Sequence, residues 1–276
     1  MIQLVQIELF KLFRQRRTYF ALIALAVIEL FVLAVAYYQG RGILDSLLEG
    51  LRDSFIFEGE LLNGNLVSYF ILNSLWFHLP LIIMIITSGL MTTEYEEGTV
   101  RTVFLQKVSI RQFIIAKYLT AMIFTVLVVV FLAVSALGLS YLLFGTGDLV
   151  VYFGGLTFFD QKDALQRLVL AFGAGTITML FYSMASLTLG VIMRQTIKTW
   201  ILSALLLVIS NLLLQLDLSS LGMEHWFYAG QLDSWQQFFR REIPWLEVNS
   251  SLGVLVLYTL LISWLGVRYF GKKEIG

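Results

Sequence analysis

The chain has 276 residues, of which 58% are hydrophobic and only 14% charged, with a mean hydropathy of +0.82. Soluble domains carry about 25% charged and roughly 45–50% apolar residues, so this excess is more than one packed core absorbs and predicts a polytopic membrane protein. A formal net charge of zero argues against a nucleic-acid binder, and the lack of cysteine excludes disulfides, thiolate metal sites and cysteine nucleophiles.

Residues 1–17 place Ile2, Val5, Leu9, Leu12 and Phe13 near a 3.6-residue period, with Gln3, Gln6, Lys11, Arg14 and Arg17 largely on the other side. This predicts an amphipathic elbow helix along the membrane surface, its cations beside the anionic head groups of membrane lipids, turning sharply into the first span. The apolar run that follows is long enough to cross and ends in no small-residue cleavage site, so the start does not read as a cleavable leader.

Six spans are predicted, at 18–38, 66–91, 113–144, 164–193, 198–216 and 249–270. Each reaches the roughly 18 apolar residues that cross ~30 Å of hydrocarbon. The third and fourth are long enough to tilt or to continue beyond the bilayer. Segment 39–65 can hold an amphipathic helix around Ile43–Phe57. Segment 145–162 opens Gly-Thr-Gly-Asp and contains Gly154-Gly155, which predicts turns. Segment 217–248 carries Trp226, Phe227, Tyr228, Trp235, Phe238, Phe239 and Trp245, which predicts short helices dipping into the membrane surface.

Six spans put both termini on one side. The N-terminus, 92–112 with Lys117, 194–198 and the end from Arg268 hold thirteen of the 19 Lys and Arg residues, whereas thirteen of the 19 acids fall in the segments on the other side. The positive-inside bias therefore predicts cytoplasmic termini.

Four polar residues within spans are candidates for a translocation path: Glu29, Asn73, His78 and Asn211. An intramembrane carboxylate such as Glu29 can take up a proton or meet a cationic substrate. The competing reading is a Glu packed against Asn73, His78, Asn211 or Gln215 of another span. Gly173, Gly175, Ser183, Ser186 and Gly190 form a small-residue stripe suited to close helix packing.

The segment after the second span concentrates charge between two apolar runs. Thr92 and Thr93 are expected to cap a helix whose first turn holds Glu94, Glu96 and Glu97. Gly98-Thr99 allows a bend and a fresh start, and Ser109 reads as the cap of the third span, followed by Arg111 and Lys117. A short helix at the inner surface fits these features. The competing reading is a solvated connector whose charges only enforce topology.

The run Glu94-x-x-x-Gly98-Thr99, then Val108-Ser109-x-Arg111 and Ala116-Lys117, resembles the ABC-2 type transporter permease family. Lys107 takes the position where members carry proline, Ile110 intervenes before Arg111, and Ala116 replaces a glycine. The resemblance extends to the layout of the whole chain. It implies the fold of that family, an all-α membrane protein with an elbow helix and six transmembrane helices. It also implies an export permease of the bacterial inner membrane, working as a pair with a second copy or a homologous permease. A separate ABC-type ATP-binding subunit, itself a dimer, would bind ATP and Mg. Carried over, Glu94, Glu96, Glu97, Gly98, Thr99, Arg101 and Arg111 would couple to that subunit, with Arg194 and Lys198 as a second contact.

No Gly-x-x-x-x-Gly-Lys-(Ser/Thr) and no His-Glu-x-x-His occurs, so the sequence offers neither a P-loop nor a zinc-protease motif, and no enzymatic activity is expected in this chain. Two other functions fit the residues. One is a proton-coupled secondary transporter using Glu29. The other is an anchoring or assembly subunit of an envelope machine such as a motility or secretion complex, holding an extracytoplasmic partner protein.

Overall fold

The structure is a computed structural model describing residues 1–52, 61–105, 108–152, 156–215 and 226–273, with all their side chains except those of residues 47–52, 101, 103, 104 and 273. It is almost entirely helical, and six of its helices are long and apolar enough to cross a membrane.

Helix α1 (Ile2–Arg14) is separated from α2 (Arg16–Arg52) by one extended residue, Gln15. The Gln15 N–H and the Thr18 hydroxyl both donate to the Leu12 carbonyl, at 3.3 Å and 2.7 Å, which satisfies the helix end and fixes the bend. A separate first helix is therefore present, and it ends at Gln15, not after Arg17. Its buried face consists of Val5, Glu8 and Leu12 and rests on the start of α5 (Ile110–Phe144).

Helix α2 does not stop at Tyr38 as expected but runs unbroken to Arg52. A fall in hydropathy changes what surrounds a helix, not its backbone hydrogen bonding; residues 38–42 contain no proline, and Gly40 and Gly42, though suited to a helix end, do not take the left-handed conformation that would close one. The separate amphipathic helix expected around Ile43 is thus the continuation of α2, and Phe57 lies outside the described residues.

Helix α3 (Gly64–Glu96) starts at Asn63, whose side chain accepts from the Leu66 N–H and donates to the Asp148 carbonyl at 2.6 Å. Asn65 donates to Gly147 O (2.6 Å) and accepts from the Tyr141 hydroxyl (2.6 Å). Gly64 has no room for a side chain, because a Cβ would collide with the Tyr141 ring and lie 2.6 Å from the Gly145 carbonyl. These bonds dock the start of α3 onto the link after α5. That link is not the expected string of turns but an antiparallel hairpin, β1 (Leu149–Tyr152) with β2 (Leu156–Phe159). Branched and aromatic residues on either side of a Gly-Gly pair favour strands over turns; Gly154 and Gly155 lie outside the described residues.

Helices α3 and α6 (Gln161–Met193) form the central pair, and α6 also packs on α5, on α7 (Thr196–Leu214) and on α9 (Trp245–Lys273). Small residues permit this approach. A Cβ on Gly190 would lie 3.0 Å from the Ser88 carbonyl. Ser186 donates to Met84 O (2.8 Å) and bonds Ser203 (2.9 Å), while Thr125 donates to Ser183 (2.9 Å). Gly173, grouped with this stripe from the sequence, is exposed and takes no part.

The aromatic segment before α9 has the short helices expected of it, but part of it packs inward. It forms α8 (Tyr228–Gln231) and a 3₁₀ turn, Ser234–Phe239, whose Trp235, Phe238 and Phe239 are buried against the protein. Arg167 of α6 fixes it by donating to Phe238 O (2.6 Å) and Arg240 O (2.8 Å). An aromatic-rich run satisfies a core as well as a membrane surface; here Trp226 and Trp245 stay exposed. The outward faces of α2, α7 and α9 are apolar, for example Phe20, Phe31, Ile201 and Leu260, as lipid contact requires.

Candidate functional site: the charged junction of α1, α3, α4 and α5

The face that carries the N-terminus also carries the end of α3, the short α4 (Thr99–Phe104), the α6–α7 link and the end of α9. The turn between α3 and α4 is built on Gly98 in the left-handed region (φ 68°), where a glycine has no Cβ to clash. Thr92 and Thr93 do not start a new helix. They lie inside α3, which continues to Glu96, because nothing before Gly98 interrupts its hydrogen bonding.

This changes the electrostatics. Glu94 and Glu96 sit in the last turn of α3, at the negative end of the helix dipole, which a carboxylate opposes. Each is compensated from another element. Lys117 of α5 is 1% exposed and donates to Glu94 Oε1 (2.9 Å) and to Glu8 Oε2 of α1 (2.5 Å). Lys11 of α1 donates to Glu8 Oε1 and Glu94 Oε1, both at 3.2 Å. Thr99, the first residue of α4, donates its hydroxyl to the other Glu94 oxygen. Two carboxylates and two ammonium groups from three helices thus neutralise one another. Burial alone would lower the Lys11 pKa; Glu8 and Glu94 outweigh it and raise it above the ordinary value.

Glu96 accepts from the Thr196 N–H (2.8 Å) at the start of α7, and the Thr196 hydroxyl bonds Thr92 (2.9 Å). Gln195, the residue at the α7 cap position, makes no side-chain cap bond, so Glu96 caps α7 from across the fold. Arg194 closes α6 in the left-handed conformation (φ 57°) with its guanidinium 4.7 Å from the centre of the Tyr95 ring. Arg17 donates to Thr93 Oγ1 (2.8 Å) and Gly89 O (2.9 Å), tying α2 to α3.

The sequence-selected coupling residues therefore divide. Glu94, Glu96, Thr99 and Arg194 join the structural junction. Glu96 also remains exposed, as do Glu97, Gly98, Arg111 and Lys198. The Arg101 side chain lies outside the described residues. Glu8 and Lys117 complete the junction and were not among the selected site residues. Glu8 had a legible signal, since it is spaced three and four residues from the buried Val5 and Leu12.

The four path candidates are not brought together. Glu29 is buried and accepts from Ser135 of α5 (2.9 Å), not from Asn73, His78, Asn211 or Gln215; its other oxygen has no hydrogen-bond partner among the described residues. Asn73 and His78 lie on an exposed face of α3 and bond carbonyls one turn back, Tyr69 O and Ser74 O. Asn211 does the same with Leu207 O on α7. Periodicity places residues on a helix face, but the partner facing them depends on helix rotation, which short polar side chains leave open by bonding their own backbone.

The class these observations define is a helical protein with six helices able to span a bilayer and a charge-locked junction at one end. Residues 52–276 match a family described as "Protein of unknown function (DUF2705)", and the chain belongs to that family. No curated protein matches the chain.

Proposed function

We propose that the chain is the membrane permease subunit of an ATP-driven exporter of ABC-2 type, working as a pair and driven by a separate ATP-binding cassette subunit that holds ATP and Mg. The observation that carries this reading is α4. It is a short helix set off from α3 by a left-handed glycine, with exposed Glu96, Glu97 and Arg111 near it and bonded through Thr99 to a buried charge junction. A displacement of α4 is passed by Thr99 to Glu94, and from Glu94 through Lys117 and Glu8 to α5 and α1. Packed elements joined this way move as bodies, not by local bending. The resemblance around Glu94–Lys117 supports the same reading, and the Lys and Arg distribution favours a cytoplasmic location for this face.

The absence of cysteine makes the test direct. A single cysteine at Glu97 is expected to react with an impermeant maleimide only from the cytoplasmic side. The full chain purified from its native membrane is expected to bring an ATP-binding cassette protein with it. The charge-reversed Glu97→Arg/Arg111→Glu protein is expected to lose that association while remaining inserted. Labelling of residue 97 from outside, or association unchanged by reversing both charges, refutes the proposal.

A further inference from the structure

A cleft of about 450 Å³ lies between α1 and the α3–α4 turn, within the size range of small-molecule sites. Its floor is the Glu8, Lys11, Glu94 and Lys117 junction, which sums to zero charge. Arg14 and Glu97 also line it and both are exposed. The Arg14 guanidinium lies 4.5 Å over the centre of the Phe10 ring, a further lining residue. Arg17 borders the cleft by bonding Gln15, Gly89 and Thr93 of its wall. The six charged side chains that line the cleft sum to zero, and among the described residues the Arg14 guanidinium at its mouth makes no ion pair. Beside it α1 exposes Ile2, Ile7, Phe10 and Phe13, an apolar surface that places this helix against acyl chains.

We propose that this cleft is a discrete binding site for the phosphodiester head group of an anionic phospholipid. Arg14, the guanidinium of the lining that no carboxylate holds among the described residues, offers one phosphate a planar donor fork. The half-exposed Lys11 ammonium, which has three donors, stands behind it. The acyl chains continue along Phe10 and Phe13. This differs from the diffuse attraction that any basic surface helix exerts on acidic lipids, because the charges act from defined walls. Binding needs no ATPase, so it stands or falls independently of the exporter reading.

The charges give the test opposite signs at two surface positions. The full chain in detergent is titrated with phosphatidylglycerol, phosphatidylcholine or glycerol 3-phosphate, and retained molecules are counted by native mass spectrometry. One phosphatidylglycerol is expected to be held in preference to phosphatidylcholine. Arg14→Gln is expected to weaken it about tenfold, the loss of a charge-assisted hydrogen bond. Glu97→Gln, which removes the opposing charge, is expected to tighten it. Arg16→Gln, an exposed neighbour that does not line the cleft, is expected to change nothing. Equal losses in Arg14→Gln and Arg16→Gln overturn the site in favour of diffuse attraction, and so does unchanged binding in Glu97→Gln. Displacement of the lipid by an equal concentration of glycerol 3-phosphate overturns the lipid as its occupant.

Discussion

Replacing Lys117 with methionine tests the junction directly. Methionine keeps the length and apolar stem of lysine and removes the ammonium. In the native protein that group lies between Glu8 and Glu94, whose side chains are only 8% and 11% exposed. Its removal leaves two nearly buried carboxylates sharing one half-exposed cation, Lys11. Breaking a buried ion pair by deleting one partner costs about 3–5 kcal/mol, because a charge remains without compensation. Lys11 still bridges both acids, which sets the expectation at the lower end, about 3 kcal/mol. For chains of this size that corresponds to a fall of roughly 6–12 °C in melting temperature.

The assay is thermal unfolding of the detergent-purified chain across pH. Like charges held close disfavour ionisation, and acid removes one of them. The deficit of Lys117→Met is therefore expected to be largest above pH 6 and to shrink toward pH 4. The triple variant Glu8→Gln/Glu94→Gln/Lys117→Met has no buried carboxylate left to strand, leaves only the half-exposed Lys11 ammonium, which water reaches, and is expected to recover most of the loss. A Lys117→Met protein that melts with the wild type at pH 7 refutes the reasoning, as does a triple variant that melts no higher than the single one.

Glu96→Ala removes the side chain that caps α7 from outside. Loss of a cap costs about 1 kcal/mol, and the effect is expected to be local, read as faster amide exchange at residues 196–199 with little change elsewhere. Asp233 accepts from Trp76 Nε1 (3.0 Å), and burial raises its pKa above the ordinary value. Its contribution is therefore fully present below the unfolded pKa of about 4 and is lost as pH rises through the folded value. Asp233→Asn, which keeps the acceptor without the charge, is expected to flatten that dependence and to match or exceed wild-type stability above pH 6 in thermal scans.

Much of the architecture was legible because it follows from bulk solvation. Six apolar runs had to be helices, since only a helix satisfies a lone segment's backbone in hydrocarbon. The Gly98 turn and the Ser109 cap are legible from local chemistry, and Ser109 and Gln112 form a reciprocal capping box, whereas the break expected after Arg17 falls at Gln15. The errors lie where a local signal was read without its tertiary context. Thr92 and Thr93 have capping side chains, yet no break in α3 precedes them. Val150, Val151, Phe158 and Phe159 were passed over for the glycines between them and form the hairpin. Trp235, Phe238 and Phe239 fit a membrane surface by type, but Arg167 holds their segment against the core. The Glu29 partner was sought among residues of its own polarity on other spans and is Ser135, which no pattern marks out among the many serines of apolar helices.

The same distinction explains why the junction carries more weight than its individual bonds. The helix dipole argues against Glu94 and Glu96 at the end of α3, by about 0.3–1 kcal/mol each. A chain optimised for α3 alone would place lysines there. The acids instead take partners from α1, α5, α4 and α7, so a local cost is offset by links that fix how four other elements sit around α3. Lys117 sharpens the point: a fully buried lysine is tolerable only if its partners are already in place, which makes the positions of α1 and α5 conditional on α3. Such mutual dependence suits the proposed role, in which a displacement of α4 moves these elements as one unit. It is more than a connector between two spans requires.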